Sequence, residues 1–262
     1  MYGFLVRPRW IAFHLLVVAV IVLMVSLGLW QLRRLDERQA FNDRVSERID
    51  EPPAAIDELV PADADADKAT LDDIEWRPVT AEGRYLPDEQ VVVVNRSQGG
   101  QAGDMVITPL QLGDGRILLV ERGFVPLDGA IGPSPSGDVT IVGRLRESQV
   151  RRRGQLTDPA EGDLTELQRL DITRVAAQLP GSVLPMYVEL TASDPPATDD
   201  SPVPVIEPEL TSGPHLSYAV QWFIFSVLAV VGWVLAVRKS ASTSTTPREP
   251  VGDVKVGVDA GH

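Results

Sequence analysis

WIAFHLLVVAVIVLMVSLGLW (residues 10–30) and LSYAVQWFIFSVLAVVGWVLAV (residues 216–237) carry no charged side chain, and nothing between them is comparably apolar. At a rise of about 1.5 Å per residue, each run reaches slightly beyond the ~30 Å hydrocarbon core of a bilayer, so both read as spanning helices. A cleaved signal sequence is the rival reading of the first run. Against it, the apolar core is too long, and no small-x-small site follows before Trp30-Gln31-Leu32-Arg33-Arg34. Aromatic anchors fit the two interfaces: Trp10 and Trp30 bracket the first run, and Tyr218, Trp222 and Trp233 lie in the second.

Working outward, the expected architecture is an α+β membrane protein in which two transmembrane helices flank an extracytoplasmic antiparallel β domain with one short helix. The expected segments are a cytoplasmic N-terminus (1–9), a first transmembrane helix (10–32), a helical extension (33–53) and an acidic connection (54–75). The β domain (76–192), a Pro-rich linker (193–214), a second transmembrane helix (215–237) and a disordered cytoplasmic tail (238–262) follow. Arg7 and Arg9 before the first helix, with Arg238 and Lys239 after the second, place both termini in the cytoplasm. Arg33, Arg34 and Arg38 argue weakly for the reverse, but Asp36 and Glu37 are interleaved with them.

Between the helices, residues 33–215 hold 18 Lys and Arg against 34 Asp and Glu, a net charge of −16. That surface lacks the basic footprint a nucleic acid requires, so it serves either solubility or a cationic partner. With no cysteine in the chain, disulfides, thiolate catalysis and Cys-ligated zinc are excluded.

The helical pattern of the first run continues to about Ile49, with Arg33/Glu37 and Arg44/Glu47 at spacings that let opposite charges meet, and Pro52-Pro53 stops it. The acidic, Ala-rich stretch beyond, in which Asp63, Asp65 and Asp67 alternate with alanines, reads as a flexible connection without calcium-loop spacing. Strands are expected near residues 77–86, 89–96, 103–112, 116–124, 140–148 and 185–192, bounded by turn signals such as Pro87-Asp88 and Gly113-Asp114-Gly115. Short connections imply an antiparallel meander or small barrel. A helix at 173–179, capped by Asp171 and stopped by Pro180-Gly181, interrupts the strands.

Catalytic machinery is sparse, because His14, His215 and His262 are the only histidines and none falls within the β domain. A Ser-His-Asp arrangement or a His-rich metal site is not expected there, and glycine-rich nucleotide loops are missing. His215 follows Pro214 at the start of the second helix, and helical geometry puts His215, Tyr218, Ala219, Trp222 and Ser226 on one face. Two readings stand side by side. A neutral imidazole there ligates haem iron, with Tyr218 and Trp222 as an aromatic wall, or His215 is an interfacial residue among membrane anchors.

Gly28-Leu-Trp-Gln-Leu-Arg-Arg34, Trp76-Arg-Pro-Val-Thr-Ala-Glu-Gly-Arg-Tyr85, Thr108-Pro-Leu110, Leu119-Val-Glu-Arg-Gly-Phe-Val-Pro126 and His215-Leu-Ser-Tyr-Ala-Val-Gln-Trp222 together resemble the surfeit locus protein 1 family of cytochrome oxidase assembly factors. The resemblance runs over roughly residues 10–238. It implies a non-enzymatic membrane factor that helps build haem-copper oxidase near insertion of haem a into the catalytic subunit. It also implies haem a contact at His215, Tyr218 and Trp222, a haem iron ligand in His215, no other metal site, and partner contacts at Trp30, Arg34 and Arg122. Glu121 departs from the family pattern, in which Asn is usual before Arg-Gly-Phe, and the stretch before Pro214 is longer than typical. The alternative function is a stable accessory structural subunit of a respiratory oxidase. A tethered sensor would call for a cytoplasmic output domain, and copper delivery for clustered thioethers, which Met105 and Met186 are not.

Overall fold

The computed structural model describes residues 6–61, 67–159, 162–198 and 200–243, so Asp63, Asp65, His262 and most of the expected tail lie outside the described residues. Helix α1 (Pro8–Ile49) and helix α5 (His215–Thr243) enclose β1 (Ala54–Ala55), α2 (Ile56–Leu59), α3 (Lys68–Ile74), β2 (Pro78–Tyr85), β3 (Val91–Gln98), β4 (Gln101–Leu112), β5 (Ile117–Pro126), β6 (Asp138–Glu147), β7 (Glu166–Leu167), α4 (Ile172–Ala176) and β8 (Val183–Asp194). Both long helices are long and apolar enough to cross a membrane. The chain divides into two units, one made of most of α1 with α5, the other spanning Asn42–Leu210.

In the second unit, β2, β6, β8, β5 and β4 pair in that order, and β4 pairs again with β2, which closes a five-stranded ring. Strand direction reverses at every antiparallel pairing, so a closed ring tolerates only an even number of reversals. Five strands therefore require a parallel pair, and β5 with β8 supplies it, Leu119 facing Tyr187 and Glu121 facing Glu189 in register. The expectation of an antiparallel domain is corrected to a mixed sheet, which also has parallel pairings of β1 with β2 and of β3 with β7. The expected single short helix becomes three among the described residues, α2, α3 and α4.

Alternation along the strands builds two cores. Val79, Leu110, Leu118, Val120, Ile141, Leu145, Met186 and Val188 form one cluster to which all five ring strands contribute. Ile107, Ile117, Leu119, Val183 and Tyr187 turn the other way, under Leu167, Leu170, Ile172 and Val175. Strands β5 and β8 are thus buried on both faces, which accounts for the unbroken apolar run Ile117-Leu-Leu-Val120.

Two segments expected to lack structure have it. Ile56 and Val60 reach the ring core from the acidic stretch, and Arg48 at the end of α1 donates to the Asp72 carbonyl (2.6 Å) beside α3. In the proline-rich stretch, β8 continues to Asp194, and Val203 pairs with Phe124 through backbone bonds of 2.7 and 2.8 Å. Proline and acid content signalled a linker; backbone pairing to β5, invisible in composition, ties it down.

Local signals explain the rest. Pro109 sits where β4 passes from pairing with β3 (to Ile107) to pairing with β2 (from Leu110), a gap where a missing N–H is tolerated. Asp171 caps α4, its carboxylate accepting from the Arg174 N–H at 3.3 Å. Asp171→Ala is expected to lower stability by about 1 kcal/mol in thermal unfolding; an unchanged melting temperature would show that the cap adds nothing.

Candidate functional site

Within the helix pair, α1 and α5 meet where side chains are small: Gly28, Ala219 and Ser226 are buried. A Cβ added at Gly28 would stand 2.8 Å from the Phe223 ring, so the glycine is what admits that ring. Eight residues before Phe223, outside that contact, the start of α5 is held by polar groups. Gly213 adopts a positive φ of 63°, Ser217 Oγ donates to the Pro214 carbonyl (2.7 Å), and His215 is half-buried.

His215 Nδ1 lies 2.9 Å from Gln31 Oε1 across the helix pair. With the amide oxygen facing the ring, Nδ1 donates to it. Nε2 makes no hydrogen bond among the described residues. The ring is thereby oriented across the helix pair with Nε2 unbonded, the kind of hydrogen-bond support that metal-binding histidines carry. Farther along, Trp233 Nε1 donates to His14 Nδ1 (2.8 Å), with the rings edge to face at 5.7 Å, so His14 is engaged by the partner helix.

The five residues expected on one face of α5 do not share one environment. Ala219 and Ser226 lie in the helix seam, His215 and Trp222 are half-buried, and Tyr218 stands 48% exposed with no ring contact to either among the described residues. Trp222 instead packs edge to face on Phe225, centroids 6.1 Å apart. Trp30 is 48% exposed, and Arg34 is paired to Glu37 one turn on (2.6 Å) at the surface.

Arg122 has a different setting. It is the extra residue of a β-bulge, because Val106 pairs with Gly123 and Ile107 with Glu121. Its buried guanidinium donates to the carbonyls of Pro133 (2.8 Å) and Gly132 (3.4 Å) and to Gln90 Oε1 (3.4 Å), and stands 5.8 Å from the Tyr85 ring centroid.

On the other face of the bulge, Glu121 and Glu189 are buried neighbours on the parallel pair. Glu189 is ion-paired to Arg146 and to Arg144 (3.7 Å), and Arg146 also pairs with Glu75 (3.3 Å) while lying 3.7 Å over the Trp76 ring. Glu121 forms no ion pair or hydrogen bond among the described residues, and burial, then the charge of Glu189, pushes its carboxyl up to about 7.

The SURF1 family model matches residues 18–227, a span that takes in Gly28, Gln31, the bulge and His215. The chain belongs to the SURF1 family. Among relatives in this family, an uncharacterized SURF1-like protein of Mycobacterium tuberculosis is 33% identical, covering 95% of this chain and 93% of its own. SURF1-like proteins of Monosiga brevicollis (26% identical, 85% of this chain and 87% of theirs) and Rickettsia felis (22%, 87% and 98%) are more distant. Of the SURF1 segments quoted from the sequence, the first and last meet in the His215–Gln31 bond, and the two that contain Tyr85 and Arg122 meet beside the bulge. Gln31 and Tyr85 were not singled out from sequence, although each lies inside one of those segments. Nothing local in sequence to His14 or Trp233 points to the other.

Proposed function

We propose that this chain spans the plasma membrane twice, with both termini cytoplasmic, and acts as a non-catalytic assembly factor for haem-copper oxidase, assisting haem a insertion into the catalytic subunit. Membership of the SURF1 family and two helices long and apolar enough to cross a bilayer support that reading. The observation that carries it furthest is the His215–Gln31 pair. An imidazole with its Nδ1 proton engaged and Nε2 unbonded fits an axial ligand of haem iron, and Trp222, half-buried about two turns away, offers an apolar flank. Haem bound there would supply a cargo rather than a reacting group. Trp30 and, past its bond to Glu37, Arg34 are exposed on α1 and available to an oxidase subunit or to lipid.

His215→Ala is expected to lower the oxidase haem a band in reduced-minus-oxidised spectra of membranes while immunoblots show this protein at normal abundance. Gln31→Ala, which leaves the ligand in place but unoriented, is expected to weaken haem retention by about tenfold. A normal haem a band in His215→Ala membranes would remove haem contact from the proposal. Recovery of the chain at unit ratio with purified oxidase would instead favour a stable accessory subunit.

A further inference from the structure

A cavity of about 220 Å³ lies wholly within the Asn42–Leu210 unit, between the bulge and the proline-rich return of the chain. Arg122 and Tyr85 line it together with Leu190, Pro196, Pro202 and Pro204, so a polar end faces an apolar body. Two properties of the polar end are unusual. No carboxylate among the described residues pairs with the buried Arg122 guanidinium, and three of its four acceptor contacts are at 3.4 Å, too long to compensate a desolvated cation well. The hydroxyl of Tyr85, whose side chain is 4% exposed, is buried with no hydrogen-bond partner. A cation without a counter-charge among the described residues and a hydroxyl without an acceptor, carried by two residues that line one cavity, lack the same thing: an anionic oxygen.

We propose that this cavity binds a small monocarboxylate with a short apolar tail, its carboxylate taken by Arg122 and the Tyr85 hydroxyl and its tail by the prolines and Leu190. Thr191, Ser193 and Ser201 also line it, but the first two hydroxyls donate to the Val142 and Pro195 carbonyls and the third is bonded to Thr198, so an inorganic anion finds few uncommitted donors, and the volume restricts the tail to a few carbons. The site is built from residues of the Asn42–Leu210 unit alone and does not depend on the proposed haem contact at His215.

Titration of the full chain in nanodiscs with hexanoate, hexanamide and phosphate, followed by calorimetry and thermal unfolding, tests this. Hexanoate is expected to bind and raise the melting temperature, with hexanamide at least about tenfold weaker and phosphate not bound. Tyr85→Phe removes only a hydroxyl that has no partner in the protein, so the variant is expected to melt no lower than the parent yet bind hexanoate several-fold more weakly. Arg122→Met is expected to abolish binding; should it fail to fold, Tyr85→Phe decides. Equal affinity for hexanamide, unchanged affinity in Tyr85→Phe, binding of phosphate in place of hexanoate, or no hexanoate binding would each overturn the proposal.

Discussion

Gly123→Ala is expected to destabilise the β domain by about 3 kcal/mol, from about 1–3 kcal/mol of backbone strain together with loss of two backbone hydrogen bonds. Gly123 holds a φ of 141°, in the region where side chains are rarely accommodated. An added Cβ would also stand 2.9 Å from the Val203 carbonyl carbon and closer still to its oxygen, the oxygen that accepts from the Phe124 N–H. Neither neighbour can yield cheaply, because both are backbone and the two Phe124–Val203 bonds anchor the proline-rich return. Thermal unfolding of the full chain is expected to show a drop of about 10 °C. Gly113→Ala is the control: its turn leaves open space around the position and φ is not positive, so its melting temperature should stay within about 2 °C of the parent. If the two alanine variants melt together, the close approach at Gly123 has no energetic weight.

Glu121→Gln is expected to stabilise the protein at pH 8 by up to about 3 kcal/mol and to do almost nothing at acid pH. The folded carboxyl titrates at about 7 against an ordinary value of 4.5, with burial the first cause and the Glu189 charge the second. Its affinity for a proton is thus raised by folding, so its contribution to stability is complete below pH 4.5, falls as pH rises through the interval, and is lost above about 7. A neutral amide does not titrate, and it can occupy the pocket between Tyr187 and Glu189 without carrying a charge into it. Denaturant unfolding of parent and variant between pH 4.5 and 8.5 should show the curves converging at the acid end and separating above neutrality. Residual slope in the variant belongs to Glu189 and Glu147, whose carboxyls burial also pushes up. A variant less stable than the parent at pH 8 would mean that Glu121 is compensated in the native state. Glu121 is thus a titratable group placed where an amide would be silent.

The same chemistry separates the charges on the two sides of the bulge. Glu189 is surrounded by Arg144 and Arg146, with Glu75 balancing Arg146, and this cluster is nearly closed on itself. Arg122, one residue from Glu121, faces the opposite side of β5, the side of Val120 and Tyr85, because successive side chains of a strand alternate between its faces. Opposite charges adjacent in sequence are therefore kept apart by strand geometry, and each is left to find its compensation elsewhere. The donors of Arg122 fasten the loop at Gly132 and Pro133, and the same residue lines the cavity.

Properties that depend on neighbours in sequence were readable from the chain. Two uncharged runs of membrane-spanning length announce two long apolar helices, Gly113-Asp114-Gly115 announces the turn between β4 and β5, and Asp171 announces the start of α4, because each signal acts within a few residues of itself. Only the tertiary structure decided how the strands close. The parallel pairing of β5 with β8, the docking of Ile56 and Val60 from an acidic stretch, and the Phe124–Val203 bridge join segments far apart in sequence, and their stabilisation comes from burial and backbone pairing rather than from residue type. The candidate sites divide in the same way. His215, Arg122 and Glu121 stood out by type and setting, but Gln31 lies 184 residues from His215, and the Tyr85 hydroxyl becomes conspicuous only when folding buries it beside an arginine with no carboxylate partner. Residue chemistry is written in the chain, whereas the tautomer of an imidazole and the compensation of a buried charge are set by whatever folding brings within hydrogen-bond distance.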